Sequence, residues 1–188
     1  MEIIFATNNK HKLEEVNFIA KPYGVTFVAP PEGFNPDESG ETFEENSYIK
    51  AYEASKLCNQ IALADDSGLC VAALNGAPGI HSARYAETAE KRIEKLVKEL
   101  SSYADKSAKF VCCMTLVTPA GDILHQVIGE CKGNIIDTPK GGQGFGYDPI
   151  FIPDGYSKTL AELGEDVKNS ISHRSNALRQ ILDLISNS

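Results

Sequence analysis

Four short segments of the chain hold residue types that do phosphate, metal and base chemistry. In the first, Thr7-Asn8-Asn9-Lys10-His11-Lys12 separates an apolar run from a stretch with helical spacing. A strand turning into a helix there presents unpaired backbone N–H groups and the positive end of the helix dipole, and two lysines add charge, so the hexapeptide reads as an anion cradle. It lacks the G-x-x-x-x-G-K spacing of a P-loop, and Asn8 and Asn9 are types that supply left-handed turns in place of glycine. The same residues also make a capped turn with solvated lysines. In the second, Asp65-Asp66-Ser67-Gly68 follows the apolar Ile61 to Ala64. Carboxylates at a strand end suit a magnesium ion, which takes hard oxygen ligands and keeps waters and phosphates in its shell. Successive side chains of an extended chain point to opposite faces, so only one of the two aspartates reaches such an ion. The alternative is an Asx turn that ends the strand. Asp37, Glu38, Glu41, Glu44 and Glu45 form a solvated acidic cluster by default, from which one could be a second ligand.

The third segment, Gly141 to Pro149, embeds Phe145 and Tyr147 among glycines. Glycine lets backbone approach a flat ligand, Phe145 or Tyr147 offers a stacking face, and Asp148 can accept from a base or ribose. Alternatively, the aromatics return to the core. In the fourth, Ser172-His173-Arg174, with Lys168 just upstream, marks a helix start where amides and cations favour an anion or a carbonyl-bearing base. Taken singly, His173, Arg174 and Lys50 read as surface or cap residues.

The elements that carry these segments follow from periodicity. Glu2 to Ala6 reads as a buried strand, and Leu13, Val16 and Ile19 or Ala20 mark a helix from Lys12 to about Ala20 that stops before Pro22 and Gly24. Val25 to Ala29 is a second strand, and Pro30 to Gly40 is a loop. Thr42 with Glu45 forms a capping box ahead of a four-turn helix carrying Lys50, Ala51, Ala54, Leu57 and Cys58. A glycine-rich loop, Leu74 to Tyr85, precedes a helix over Ala89 to Leu100 with Ile93, Leu96, Val97 and Leu100 on one face. Ala108 to Thr118 and Ile123 to Cys131 flank the turn Pro119 to Asp122 as a hairpin, and the first strand is apolar on both faces, hence central. Ile150 to Ile152 is a further strand, and Ser175 to Ile185 is a closing helix. The pattern is α/β, a mixed central sheet flanked by helices, without repeats or linkers.

Composition excludes several classes. With 188 residues, 42% of them apolar, and a net charge of −8, the chain is one globular domain of 1–188, or two closely joined lobes. A pI near 5.0 offers no basic face for nucleic acid, and the longest apolar stretch, Phe110 to Val117, is too short to span a bilayer. Met1 and Glu2 lead straight into an apolar strand, so no secretory signal is expected. Five cysteines in apolar runs, odd in number and without C-x-x-C pairs, fit free thiols of the cytoplasm packed in the core.

Taken in order, Phe5-Ala6-Thr7-Asn8-Asn9 with Lys12, Thr42-Phe43 with Glu45-Asn46 and Lys50-Ala51, and Ala64 to Leu69 carry a resemblance. Gly76-Ala77-Pro78-Gly79 with Ser82 to Tyr85, Gly144 to Pro149 and Ser172-His173-Arg174 complete it. The chain resembles the Ham1-like inosine triphosphate pyrophosphatase family over essentially its whole length. The resemblance implies an elongated two-lobed homodimer, cytoplasmic, that uses Mg²⁺ to hydrolyse the non-standard purine triphosphates ITP, dITP and XTP to the monophosphate and pyrophosphate. It implies that Thr7, Asn8, Asn9, Lys10, His11 and Lys12 hold the triphosphate with Lys50, that Asp66 is the metal-bound carboxylate and proton acceptor with Ser67 beside it, and that Glu38 is the second acidic ligand. It further implies that Phe145, Gly146, Tyr147, Asp148, Lys168, His173 and Arg174 bind the purine and adjoining nucleotide. Two departures stand out: Asn8 where many members have glycine, and Gln143 in the glycine run. The other readings are a pyrophosphatase for other modified nucleotides and a nucleotide-binding module without turnover, both separable by a substrate panel.

Overall fold

The computed structural model describes residues 1–142 and 144–188; Gln143, the second departure, lies outside the described residues. The strands are β1 (Glu2–Phe5), β2 (Thr26–Val28), β3 (Ala62–Val71), β4 (Ser107–Val117), β5 (Ile123–Ile135) and β6 (Phe151–Pro153). The helices are α1 (Lys10–Ala20), α2 (Phe43–Cys58), α3 (Ala89–Leu100), α4 (Leu160–Leu163), α5 (Glu165–Ile171) and α6 (His173–Ser186). Strand order is β2-β1-β3-β4-β5-β6. β1 pairs in parallel with β2 (Ile3 opposite Phe27) and with β3 (Phe5 opposite Leu63), while β5 and β6 run antiparallel, so the sheet is mixed as the sequence implies. The all-buried tail of β4 fits its inner position.

The chain forms two compact units, the first comprising Met1–Asp66, Cys112–Gly129 and Arg174–Ser188, the second Ser67–Val111 and Glu130–His173. In the first unit the pleat divides the core. Ile3, Phe5, Leu63, Met114 and Leu116 pack with Val16 and Ile19 of α1 and with Leu178, Ile181 and Leu182 of α6. The alternate residues Ile4, Ala6, Ala62, Ala64 and Val117 pack with Ala51 and Ala54 of α2. In the second unit Leu69, Val71, Phe110 and Phe151 enclose a core with Ile93, Leu96 and Leu100 of α3 and Leu160 of α4. All five cysteines are free; Cys112, Cys113 and Cys131 are buried. Among the described residues no helix is long and apolar enough to cross a membrane.

Several local expectations change. α1 begins at Lys10 rather than Lys12, because Asn9 caps it: its Oδ1 accepts from the amides of His11 and Lys12. Asn9 does so from an extended conformation, and neither Asn8 nor Asn9 takes a positive φ, so the left-handed turn expected of them is not used. Asn8 instead donates its side-chain N–H to Phe34 O at 2.6 Å. The Thr42 capping box is half formed, since Thr42 accepts from Glu45 N but the Glu45 carboxylate returns to Glu41 N. β3 does not stop at Asp65; it runs on to Val71, because the charges of both aspartates are met by cations from α1, α2 and α6, as described below. The glycine-rich loop holds a 3₁₀ turn, Gly79–Arg84.

Candidate functional site

The strand pleat sets the geometry of the first unit. Asp65 follows Leu63 on the face covered by α1 and α6, and Asp66 follows Ala64 on the face covered by α2. Each aspartate therefore meets a different cation. Asp65 Oδ2 accepts from Arg174 Nε at 3.2 Å and lies 3.6 Å from Lys12 Nζ. Asp66 Oδ1 lies 3.4 Å from Lys50 Nζ, which also reaches Glu38 Oε1 at 3.3 Å. The opposite facing of the two carboxylates is as expected, and Glu38, Lys50 and Asp66 come together from a loop, α2 and β3.

Their protonation behaviour diverges accordingly. Burial alone would raise the Asp65 pKa, but Lys12, Arg174 and Lys50 outweigh it and hold Asp65 well below the usual carboxylate range. Burial pushes Asp66 up from 3.8 to about 6; Lys50 opposes the rise, and Asp65 and Glu38 reinforce it. Lys50 is itself raised: burial disfavours its charge, but Asp65, Asp66 and Glu38 together overcome that. Asp66 is thus a carboxylate that is ionised at neutral pH yet takes a proton readily, which suits a general base.

Asp66 Oδ2 is buried and makes no hydrogen bond. An acceptor left open among such neighbours fits a hard cation, and magnesium commonly takes one or two protein carboxylates and completes its shell with phosphates and water. Among the described residues no cluster of three or more His, Cys, Asp or Glu offers a closed protein cage. Asp66 and Glu38 match the sparse pattern rather than the cage.

The Thr7 to Lys12 turn spends much of its own donor capacity. Thr7 N donates to Phe5 O, Asn9 N to Thr7 Oγ1, and the amides of His11 and Lys12 to Asn9. The expectation of a row of unpaired amides is corrected to this extent, and the attraction for an anion there rests chiefly on the dipole and on Lys12. Lys10 and His11 are exposed.

In the second unit, Asp148 is buried and organises the glycine-rich loop. Its Oδ2 accepts from Phe145 N at 3.1 Å and from Lys168 Nζ at 2.7 Å, and Lys168 Nζ stands 4.0 Å from the centre of the Phe145 ring. Gly144 has φ +80°, and a Cβ there would lie 2.4 Å from Asp148 Oδ2, so this turn requires glycine. Of the two aromatics, Tyr147 returns to the core, 6% exposed, donating to Ser82 O, while Phe145 is 52% exposed and presents the stacking face. Gly146 takes φ +61° between them, and Ser67 is half-buried on β3. The His173 ring stacks on Phe110 at 4.9 Å, 14° from parallel.

The surface reading of the lone His173, Arg174 and Lys50 is overturned: His173 is buried, Arg174 is 3% exposed against Asp65 and Glu15, and the Lys50 side chain is 15% exposed, while Lys168 is buried against Asp148. Sequence reading missed Glu15, whose Oε2 lies 3.5 Å from an Arg174 Nη1, and Ser82, which ties Leu69 N, Gly79 O and Tyr147 together. Glu15 had one local signal, its position three residues after Lys12 on one helix; Ser82 had only its place in the Ser82 to Tyr85 run that carries the resemblance, with no role attached to it.

The Ham1 family model matches residues 3–184. A dITP/XTP pyrophosphatase of Treponema denticola is 45% identical over the full length of both chains. One from Synechocystis is 42% identical, covering 96% of this chain and 93% of the relative. The Ham1 protein of Staphylococcus aureus superposes with a TM-score of 0.91 at 39% identity, covering 100% of this chain and 99% of the other. Matched from strand β1 to helix α6 in sequence and in backbone, the chain belongs to the Ham1 family.

Proposed function

We infer that this protein is a nucleoside triphosphate pyrophosphatase that hydrolyses dITP, ITP and XTP to the monophosphate and pyrophosphate. Its relatives from Treponema denticola and Synechocystis carry the name dITP/XTP pyrophosphatase. The observation that carries the reading is Asp66, a largely buried carboxylate beside Lys50, raised to about 6, with one oxygen unclaimed.

In the first unit, Lys12, Lys50 and the N-terminus of α1 bind the triphosphate and offset its charge, joined by Thr7, Asn8, Asn9, Lys10 and His11. Asp66 accepts a proton from the water that attacks the α-phosphorus, and the bond from that phosphorus to the departing pyrophosphate breaks. Asp66 and Glu38 would hold a magnesium ion, which supplies charge neutralisation when bound. In the second unit, Phe145 stacks on the purine, and Gly146, Tyr147 and Asp148 shape the loop that presents it, while Ser67 lies one residue beyond Asp66 on β3. Lys168 and His173 offer donors to a six-oxo purine. Arg174, the chain neighbour of His173, has five N–H donors, of which its two carboxylate contacts leave some for the nucleotide. A homodimeric state and a cytoplasmic location complete the proposal.

The test is a panel of ATP, GTP, ITP, dITP, XTP and dUTP, with phosphate and pyrophosphate detected separately. Pyrophosphate release from ITP, dITP and XTP, with ATP and GTP poor, is expected. Release of phosphate alone, or a preference for dUTP, refutes the assignment.

A further inference from the structure

Arg174 is a buried guanidinium that cannot shed its charge. Two carboxylates hold it from different elements. Its Nε donates to Asp65 Oδ2 at 3.2 Å, and its Nη1 lies 3.5 Å from Glu15 Oε2. Asp65 Oδ2 is shared, since Lys12 Nζ lies 3.6 Å from the same oxygen. The four side chains form a chain of alternating charge, Lys12, Asp65, Arg174, Glu15, that begins and ends on α1, with its two ends one turn apart.

Glu15 has no part in the mechanism above, yet its side chain is buried and its Oε1 makes no hydrogen bond. A carboxylate in that position is desolvated without full compensation, and an apolar residue beside Val16 would avoid the cost. What the carboxylate does supply is a second acceptor for Arg174. With both sides of the guanidinium met, Asp65 is not drawn wholly to Arg174 and stays shared with Lys12.

We propose that Glu15 is a positioning residue for the pyrophosphatase reaction, acting through Arg174 and Asp65 to hold the Lys12 ammonium in place for the triphosphate. The proposal rests on the function inferred above and adds to it a residue that touches neither substrate nor metal. Without Glu15 the undivided pull of Arg174 falls on Asp65, Lys12 loses its anchor, and the triphosphate is bound by a lysine that must be ordered at each turnover.

The experiment measures kcat and KM for ITP by pyrophosphate release at 25 °C, with melting temperature alongside, for wild type, Glu15→Ala, Glu15→Gln, Lys12→Ala and the Glu15→Ala/Lys12→Ala pair. Glu15→Ala is expected to raise KM about tenfold and to lower kcat less, while Glu15→Gln, which keeps an oxygen for Arg174, recovers most of the loss. In the Lys12→Ala background, Glu15→Ala is expected to add less than about threefold, because the group it positions is gone. A Glu15→Ala protein with a lowered melting temperature but wild-type KM overturns the proposal, as do effects that multiply in the double variant. If Glu15→Ala does not fold, Glu15→Leu, which removes the acceptor for Arg174 but fills the space beside Val16, runs the same cycle with and without Lys12→Ala, and a wild-type KM for Glu15→Leu or a KM rise that persists in full without Lys12 overturns the proposal. Failure of the underlying function shows separately, as a wild-type protein that releases no pyrophosphate.

Discussion

Replacing Asp66 by asparagine should make the protein more stable while removing most of its turnover, and replacing Asp65 should do the reverse to stability. Asp66 titrates near 6 in the folded chain against an ordinary 3.8, so its ionised form is disfavoured by folding. That difference corresponds to about 3 kcal/mol at a pH where the group is ionised in both states. Its side chain is only 12% exposed, so solvent screening removes little of it. Between pH 3.8 and 6 the folded state binds more protons than the unfolded one, and stability therefore falls as pH rises through that window. An asparagine never ionises, so its advantage should be absent below about pH 4, grow through the window and be complete above about 6. At roughly 2 to 4 °C per kcal/mol for a chain of this size, the gain at pH 8 is about 6 to 12 °C.

Asp65 has the opposite linkage. Its folded pKa is depressed, so its stabilisation is present above about 4 and is lost as pH falls toward the folded value. Asp65→Asn leaves Arg174 and Lys12 short of a counter-charge, and breaking a buried pair in this way costs about 3 to 5 kcal/mol. The assay is thermal unfolding of wild type, Asp66→Asn and Asp65→Asn from pH 4 to 8 in EDTA, so that no bound cation stabilises the Asp66 carboxylate. Shifts of the same sign for both variants, or an Asp66→Asn shift that does not change with pH, would refute the reasoning.

Chelation with EDTA should abolish pyrophosphate release and added Mg²⁺ restore it; full activity in chelator removes the metal from the proposal. Phe145→Ala should raise KM for ITP about tenfold, the scale of one lost stacking contact, with melting temperature unchanged because the ring is largely exposed; an unchanged KM returns Phe145 to the surface. Gly68→Ala would place a Cβ 2.1 Å from Gly79 O, a backbone atom with little room to move, and should lower stability by about 1 to 3 kcal/mol in denaturant unfolding. A neutral Gly68→Ala would show that the Gly79–Arg84 turn yields easily.

Long elements with strong periodicity were legible. The helix expected over Ala89 to Leu100 spans those residues, and β4 is buried along nearly its whole length because both of its faces are apolar in the sequence. Short elements escaped. α4 and α5 are four and seven residues long, too short to show a period, although Thr159 and Glu162 form a complete capping box that a search for start signals would have found. The continuation of β3 through Asp65 and Asp66 could not be read locally, because adjacent carboxylates in a strand are tolerable only when distant residues neutralise them. The cations that do so come from α1, α2 and α6, one of them 109 residues away.

The candidate site divides along the same line between local and distant information. That Asp65 and Asp66 face apart follows from the pleat, which any two strand neighbours obey. Which of them meets which cation depends on the helices that cover the two faces, and a sequence window does not contain them. The same holds for Lys50, Lys168 and Arg174: a charge on a helix is solvated by default, and only the arrival of Asp66, Asp148 and Asp65 from elsewhere makes their burial tolerable. Burial in turn gives the pairs their chemical use. Lys50 beside a water-exposed Asp66 would hold the carboxylate at or below its ordinary value, a poor base at neutral pH; behind α2 the balance of desolvation, one cation and two other carboxylates carries it to about 6.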